Sequence, residues 1–244
     1  MEGDADVAAV ASLIGEPARA AVLMALTDGR ALAASTLADE AGVAPSTVSG
    51  HLSRLVDGGL VRVEASGRHR YFRLADPKVA DALEVLAGLA PSRPVRSLRG
   101  ATRAEALRAA RTCYDHLAGR LGVAVTDALV AGRLVPVEPD PDGEQDPVLG
   151  AGRAQRYRLT PAGRDRLTGL GVALRVTGQR PLVRYCVDWS EQRPHLAGHL
   201  GAALLDLFLE RDWLRRGERR IVTLTDAGRA ALADQLGVET AGLG

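Results

Sequence analysis

The chain has 244 residues, of which 46% are hydrophobic and 25% charged, with a formal net charge of +1 and only two cysteines. That length allows one large domain or two to three small ones, each with its own core. Two cysteines exclude a disulfide framework, and no apolar run nears the ~20 residues a membrane span needs.

Ala, Leu and Arg dominate, aromatics are scarce and strand-like runs are short. A mainly α, α+β fold is therefore expected. The acidic start MEGDADVAAV lacks a basic stretch before an apolar core, so no signal peptide is expected and a cytoplasmic, reduced chain fits. Residues 5–14 have helical apolar spacing, and Pro17 at a first helical position opens a second helix closed by Gly29. STLADEA then reads as a short helix, Gly42 to Ala44 as a tight turn, and Pro45 to Asp57 as another helix stopped by Gly58-Gly59. Two short helices about a Gly-containing turn form a helix-turn-helix unit.

In the second of these helices Val48, Leu52 and Leu55 follow i, i+4, i+7 and define its core face. Ser46, Thr47, Ser49, Gly50, His51, Ser53 and Arg54 are the expected DNA contacts. Small and hydroxylated residues let a helix N-terminus, with its free N–H groups, sink into a major groove beside phosphates. LVRVEASGRHRYFRL follows and reads as two strands around Ser66-Gly67, with Arg68, His69 and Arg70 at or near the tip. A basic wing of this kind reaches phosphates or the adjacent minor groove. Residues 45–74 carry five Arg against Asp57 and Glu64, a locally basic segment in a near-neutral chain.

The phrases LIGEPARAAVLMAL, STLADEAGVAPSTVSGHLSRLVDGGLVR and SGRHRYFRL resemble the ArsR/SmtB-type winged helix-turn-helix regulators over residues 7–90. The resemblance implies a homodimer joined through the first helix and the helix DPKVADALEVLAGL. It also implies binding to a palindromic operator on double-stranded DNA and release by an effector. Two departures stand out. LAASTLADEAG has no thiol, and the helix after the wing offers Asp76, Asp81 and Glu84 but no histidine. Neither metal site of the metal-sensing members therefore carries over.

The expected organisation is a DNA-binding and dimerisation domain over 1–90, a linker over 91–101, and a sensor domain over 102–244. The last contains repeats at about 113–172 and 192–238. HLAGRLGVAVTDALVAGRLV sets against HLAGHLGAALLDLFLERDWL, and YRLTPAGRDRLTGLGV against VTLTDAGRAALADQLGV. A helix is expected from about Thr102 through LRAARTCYDHLAGRLG. Each copy reads as winged-helix-like, with Thr160 and Thr225 as helix caps. Residues 137–152 would be a long acidic wing and 215–220 a solvated basic turn. The two copies would pack about a pseudo-two-fold.

The function of the repeated HLAG has several readings. Its Ala and Gly would let helices approach closely, with the histidines only capping. Cys113 and His116 at i, i+3, and His195 and His199 at i, i+4, would otherwise share helical faces, with Cys186 and Asp188 just upstream. Converging copies would suit zinc or another thiophilic ion. Cys113 and Cys186 could instead form a redox pair, or Tyr114, Tyr185, Trp189 and Trp213 could wall a small-molecule pocket. The thiols do not repeat in register: Cys113 lies three residues before its histidine and Cys186 nine before. On this count the cysteines were added to the repeat rather than inherited with it. No Gly-rich phosphate loop, nucleophile elbow or HExxH occurs, so no enzyme is expected. The combined reading is a DNA-binding transcriptional repressor, with an effector-free architectural DNA binder as its rival.

Overall fold

Caps and turns set the first elements of the computed structural model, which describes residues 4–67, 69–91, 94, 97–138, 156–174 and 180–243. Asp6 accepts from the Ala9 N–H to start α1 (Val7–Ile14). Glu16 accepts from Ala18 and Arg19 to start α2 (Pro17–Ala25), with Pro17 in the first turn where its missing N–H costs nothing. After β1 (Leu32–Ala33) comes α3 (Ala34–Ala41), which ends at Gly42 with φ 66°, and α4 (Pro45–Asp57) follows the turn. β2 (Val61–Ser66) and β3 (His69–Leu74) form the wing, paired from Val61↔Leu74 to Ser66↔His69. β1 adds to β3 through Leu32↔Phe72, giving the antiparallel order β1-β3-β2. Leu23, Leu26, Leu37, Val48, Leu52, Leu55, Phe72 and Leu74 fill the core of this unit. Each such side chain contributes about 1.5–3 kcal/mol by leaving water. α5 (Pro77–Leu89) carries the chain onward.

The chain divides into two compact units, Met1–Leu83 and Glu84–Gly244. The second opens its own architecture with α6 (Leu98–Ala109), which starts inside the stretch read as linker because Ser97 caps the Gly100 N–H. That helix stops at Ala109. The expected continuation through TCYDHLAG is instead a tight antiparallel hairpin, β4 (Arg111–Cys113) and β5 (His116–Ala118), with Tyr114 at φ 57° in its turn. Then follow α7 (Gly119–Ala131), the short pair β6 (Val137–Glu138) and β7 (Arg156–Tyr157), and α8 (Pro161–Gly169). Most of the acidic 137–152 stretch lies outside the described residues.

The second copy repeats this order. β8 (Arg184–Val187) and β9 (Pro194–Ala197) form a hairpin, followed by α9 (Gly198–Glu210), the pair β10 (Leu214–Arg216) and β11 (Val222–Leu224), and α10 (Asp226–Leu236). Each copy is thus hairpin, helix, hairpin, helix. A hairpin stands where the sequence suggested the first of two helices. The copies therefore begin near Arg111 and Arg184, upstream of the histidines that mark them in sequence.

The match extends to fine geometry. Arg133 and Asp212, one at the end of each long helix, have φ 57° and 55°. Thr160 and Thr225 each accept from the Gly163 or Gly228 N–H at 2.9 Å. A methyl group at either glycine would lie 2.3 Å from the Leu134 carbonyl oxygen or 2.1 Å from that of Trp213. The L-T-x-A-G-R phrase is conserved between the copies because its glycine admits this close approach. One core serves both copies, built from Leu121, Val125 and Leu129 of α7 with Leu200, Leu204 and Phe208 of α9.

Candidate functional site

The reader helix presents the face expected of it. Val48, Leu52 and Leu55 are buried, while Ser46, Thr47, Ser49, Gly50, Ser53 and Arg54 are exposed. His51 departs from the expected contact set. It is half-buried, and its Nδ1 lies 3.3 Å from Glu16 Oε2, so it ties α4 to the start of α2 instead of facing outward. His69 and Arg70 are exposed near the wing tip, and Arg70 lies over the Phe72 ring. Arg68 lies outside the described residues. A groove of about 640 Å³ runs among Ser35, Ser49, Ser53, His69 and Arg70, bounded by the start of α3, one side of α4 and the wing.

The second site is built by the two first hairpins of the C-terminal copies. Cys113 pairs with His116 across β4 and β5, and Cys186 pairs with His195 across β8 and β9. Cross-strand partners at matching register put each thiol beside its imidazole, which corrects the helical i, i+3 placement. The copies meet at this point. A methyl group at Gly122 would lie 3.6 Å from His195 Cβ, and one at Gly201 would lie 3.1 Å from His116 Cβ. Each long helix therefore packs its second glycine against the other copy's histidine. One donor atom from each of Cys113, His116, Cys186 and His195 falls within 4.8 Å of all the others. The sulfurs are 4.0 Å apart and the imidazole centroids 5.1 Å apart.

Burial sharpens what this cluster lacks. Cys113 is 1% exposed, His116 3% and His195 0%, and Cys186 alone reaches solvent. The Nε2 atoms of both histidines are buried with no hydrogen-bond partner. Each such orphan costs about 1–3 kcal/mol of desolvation. On the opposite edge of each ring stands a carboxylate. His116 Nδ1 is 3.4 Å from Asp115 Oδ1, and His195 Nδ1 is 3.3 Å from Asp188 Oδ2, an ion-pair distance off the line of a hydrogen bond. A carboxylate hydrogen-bonded at Nδ1, as Asp115 is at His116, fixes the tautomer that leaves Nε2 free to act as a donor to a metal, whereas Asp188 offers His195 only the ion-pair contact.

Asp188 is itself held. It accepts from Arg111 Nη2 at 2.9 Å, from the Gly119 N–H at 2.6 Å, and from the Ser190 N–H and hydroxyl. Burial alone would raise its carboxyl, but His195 and Arg111 hold it well below the usual carboxylate range. Burial likewise works to lower the His195 imidazole, and Asp188 and Cys186 outweigh it, raising the group to about 9. The contact between the sulfurs splits the thiols. It lowers Cys186, helped against burial by both imidazoles, and raises Cys113, which burial raises further.

The comparisons with known proteins concern the helix-turn-helix and the chain's regulator family. A helix-turn-helix domain model matches residues 14–64. The uncharacterized HTH-type transcriptional regulator YdfF of Bacillus subtilis strain 168 is 37% identical over 238 residues, covering 96% of this chain and 98% of that protein. The chain belongs to the HTH-type transcriptional regulators. Among solved structures, a homodimeric winged helix-turn-helix DNA-binding domain from Mycobacterium bovis, described as a possible ArsR-family regulator, is 28% identical. It covers 36% of this chain and 89% of its own, with a TM-score of 0.32. The cadmium metal-sensor CMTR of Mycobacterium tuberculosis is 33% identical, covering 38% of this chain and all of its own, with a TM-score of 0.31.

Other residues singled out in the regulator's sequence fall elsewhere. His199 lies within α9, while His195 lies in β9, so the two share no helical face. His199 borders a cleft with Asp206 and Glu210. Asp188 supports His195 and is not one of the four donors. The aromatic candidates are engaged separately. Trp213 stacks on Phe208 in the core, Tyr185 meets Tyr157, Trp189 lies under Arg111, and Tyr114 occupies the β4–β5 turn. The turn read as solvated holds a buried cation: Arg220 pairs with Glu84 at 2.6 Å.

Sequence reasoning missed Arg111, Asp115, Glu84 and Arg220 as parts of this site. A signal for the first two was present. R-T-C-Y-D-H and R-Y-C-V-D-WSEQRP-H align without a gap from Arg to Asp, with six extra residues between Asp188 and His195. Counting back from the histidine hid that register, and the conclusion that the thiols were added to the repeat is overturned.

Proposed function

We propose that the chain acts as a homodimeric repressor that binds a palindromic operator with α4 and the wing and lets go when its C-terminal unit binds an effector. The observation that carries the reading is the reader helix itself. One face is buried aliphatic, and the other is small, hydroxylated and exposed, ending in Arg54. Such a face supplies backbone and hydroxyl donors to phosphates and one guanidinium for a base edge. Support for the dimer comes from apolar side chains left in water: Val7 and Val10 on α1, and Val85, Leu86 and Leu89 on α5. Paired dimers place two reader helices one helical turn apart on the duplex, which is why a palindrome is the expected target.

The reading is tested by selecting bound fragments from genomic DNA, then measuring affinity for the recovered site by anisotropy. Arg54→Ala should weaken binding about 10-fold or more, the ~1–3 kcal/mol of a base contact, with the dimer intact. Unchanged affinity would remove Arg54 from the interface. No enzymatic role is assigned to the C-terminal unit.

A second reading, a metal- or thiol-responsive regulator, is favoured by the convergence of Cys113, His116, Cys186 and His195. It predicts that operator affinity changes between as-purified, chelator-treated and oxidised protein. Equal affinity in all three would leave the release to another effector.

A further inference from the structure

We propose that Cys113, His116, Cys186 and His195 bind one zinc-class divalent cation in a closed tetrahedral Cys2His2 site, each copy of the repeat giving one thiolate and one imidazole Nε2. This deepens the metal-responsive reading, but its test needs no DNA, so the two can fail separately.

Three observations carry it. The first is spacing. Zinc bonds of about 2.3 Å to sulfur and 2.0 Å to nitrogen put tetrahedral donors about 3.3–3.8 Å apart. The four donor atoms already lie within 4.8 Å of one another, with the sulfurs at 4.0 Å, so a small inward movement completes the set. Among the described residues this is the one cluster of three or more such groups found.

The second is the pair of orphaned nitrogens. Both Nε2 atoms are buried without a partner, while Asp115 and Asp188 stand at the Nδ1 edges. A histidine that neither donates nor accepts at a buried nitrogen is unusual, and two facing each other across a pseudo-two-fold beside two thiols have a shared explanation. Outer-shell carboxylates of this kind orient metal-bound imidazoles.

The third is charge. Two thiolates and two neutral imidazoles around a divalent ion sum to zero, so the buried site needs no further counter-ion. Both cysteines bind as thiolates and both histidines as neutral rings, so metal uptake releases to solvent whatever protons the four donors carry in the free site. Asp188 already has Arg111, and Glu84 has Arg220, so these neighbouring carboxylates are balanced without the ion. Four protein donors leave no coordination position for water, which makes the site a clamp between the copies and not a hydrolytic centre. Cys186, the donor that reaches solvent, marks the entry side.

The test is elemental analysis of the full-length protein, purified without a polyhistidine tag, together with cobalt substitution. About one zinc per chain is expected, and cobalt should give the strong visible bands of a tetrahedral site plus a thiolate-to-cobalt band in the near ultraviolet. Cys186→Ser and His116→Gln should lose at least half of the metal and shift the cobalt spectrum. His116→Cys should keep zinc, because three cysteines and one histidine also form a zinc set. Circular dichroism of each variant separates lost metal from lost fold. For any variant that does not fold, alkylation of the wild type decides: both thiols should be protected until a chelator is added. Wild-type protein that is metal-free and gives no cobalt bands on titration overturns the proposal. So does a Cys113–Cys186 disulfide in the protein as isolated from cells.

Discussion

Arg111 shows how one side chain holds several elements of the C-terminal unit. It is fully buried, and its guanidinium reaches Asp188, the Leu107 carbonyl and Ser190, lies 3.8 Å from Glu84, and stacks over Trp189. A buried ion pair of this kind contributes little beyond an apolar replacement of the same shape, but removing one partner leaves the other charge stranded. Arg111→Ala is expected to cost about 3–5 kcal/mol in denaturant unfolding, because Asp188 and Glu84 both lose a cation. A loss below about 1 kcal/mol would mean that water replaces the guanidinium. Asp115 has its own partner in Arg180, at 2.7 Å from Nη2, which holds its carboxyl down to about 2 against burial. The two outer carboxylates are thus neutralised by different arginines, one of them fully buried and the other half-exposed.

Equivalent elements of the copies allow a symmetrical prediction. Thr160 and Thr225 cap α8 and α10 with the same 2.9 Å bond, and each hydroxyl also reaches the carbonyl of Leu134 or Trp213 at 3.2 Å. Thr160→Ala and Thr225→Ala should each cost about 1 kcal/mol, as lost N-caps do. Urea titration that found one cap neutral and the other costly would show that the copies do not share their mechanics. These caps were legible in sequence, as were α1 to α4 and the wing, because their signals are local: a Pro at a helix start, a Gly at a turn, apolar residues at helical spacing. The first hairpins of the copies were not legible. β4 and β5 are three residues long and buried throughout, so they show no alternation of apolar and polar side chains. Ala and Leu in LRAARTCYDHLAG carry a helical signal that tertiary contacts override. The donor cluster depends on cross-strand pairing and on two copies meeting, neither of which any sequence spacing records, and six inserted residues masked the one repeat that announced it.

At the level of the whole molecule, the proposed dimer rests on the exposed apolar side chains of α1 and α5. Leu89 is 79% exposed and Val7 72%, values that fit surfaces covered by a second chain. Leu89→Glu combined with Val85→Glu should shift the protein to monomer in sedimentation velocity and weaken operator binding with it. A dimer that persists would place the interface elsewhere. No single helix among the described residues is long and apolar enough to cross a membrane.

The meeting of the two hairpins has a further consequence. A single copy of the repeat offers one sulfur and one imidazole, half of a tetrahedron, and a shorter chain bearing one copy would have to borrow the remainder from a second molecule. Such a shared centre would fill or empty with protein dilution. Joining the copies in one polypeptide makes the second half-site an intramolecular neighbour, present at an effective concentration set by the fold and not by how much protein the cell makes. Its response to a cation should therefore be the same in a cell holding few copies of the regulator as in one holding many.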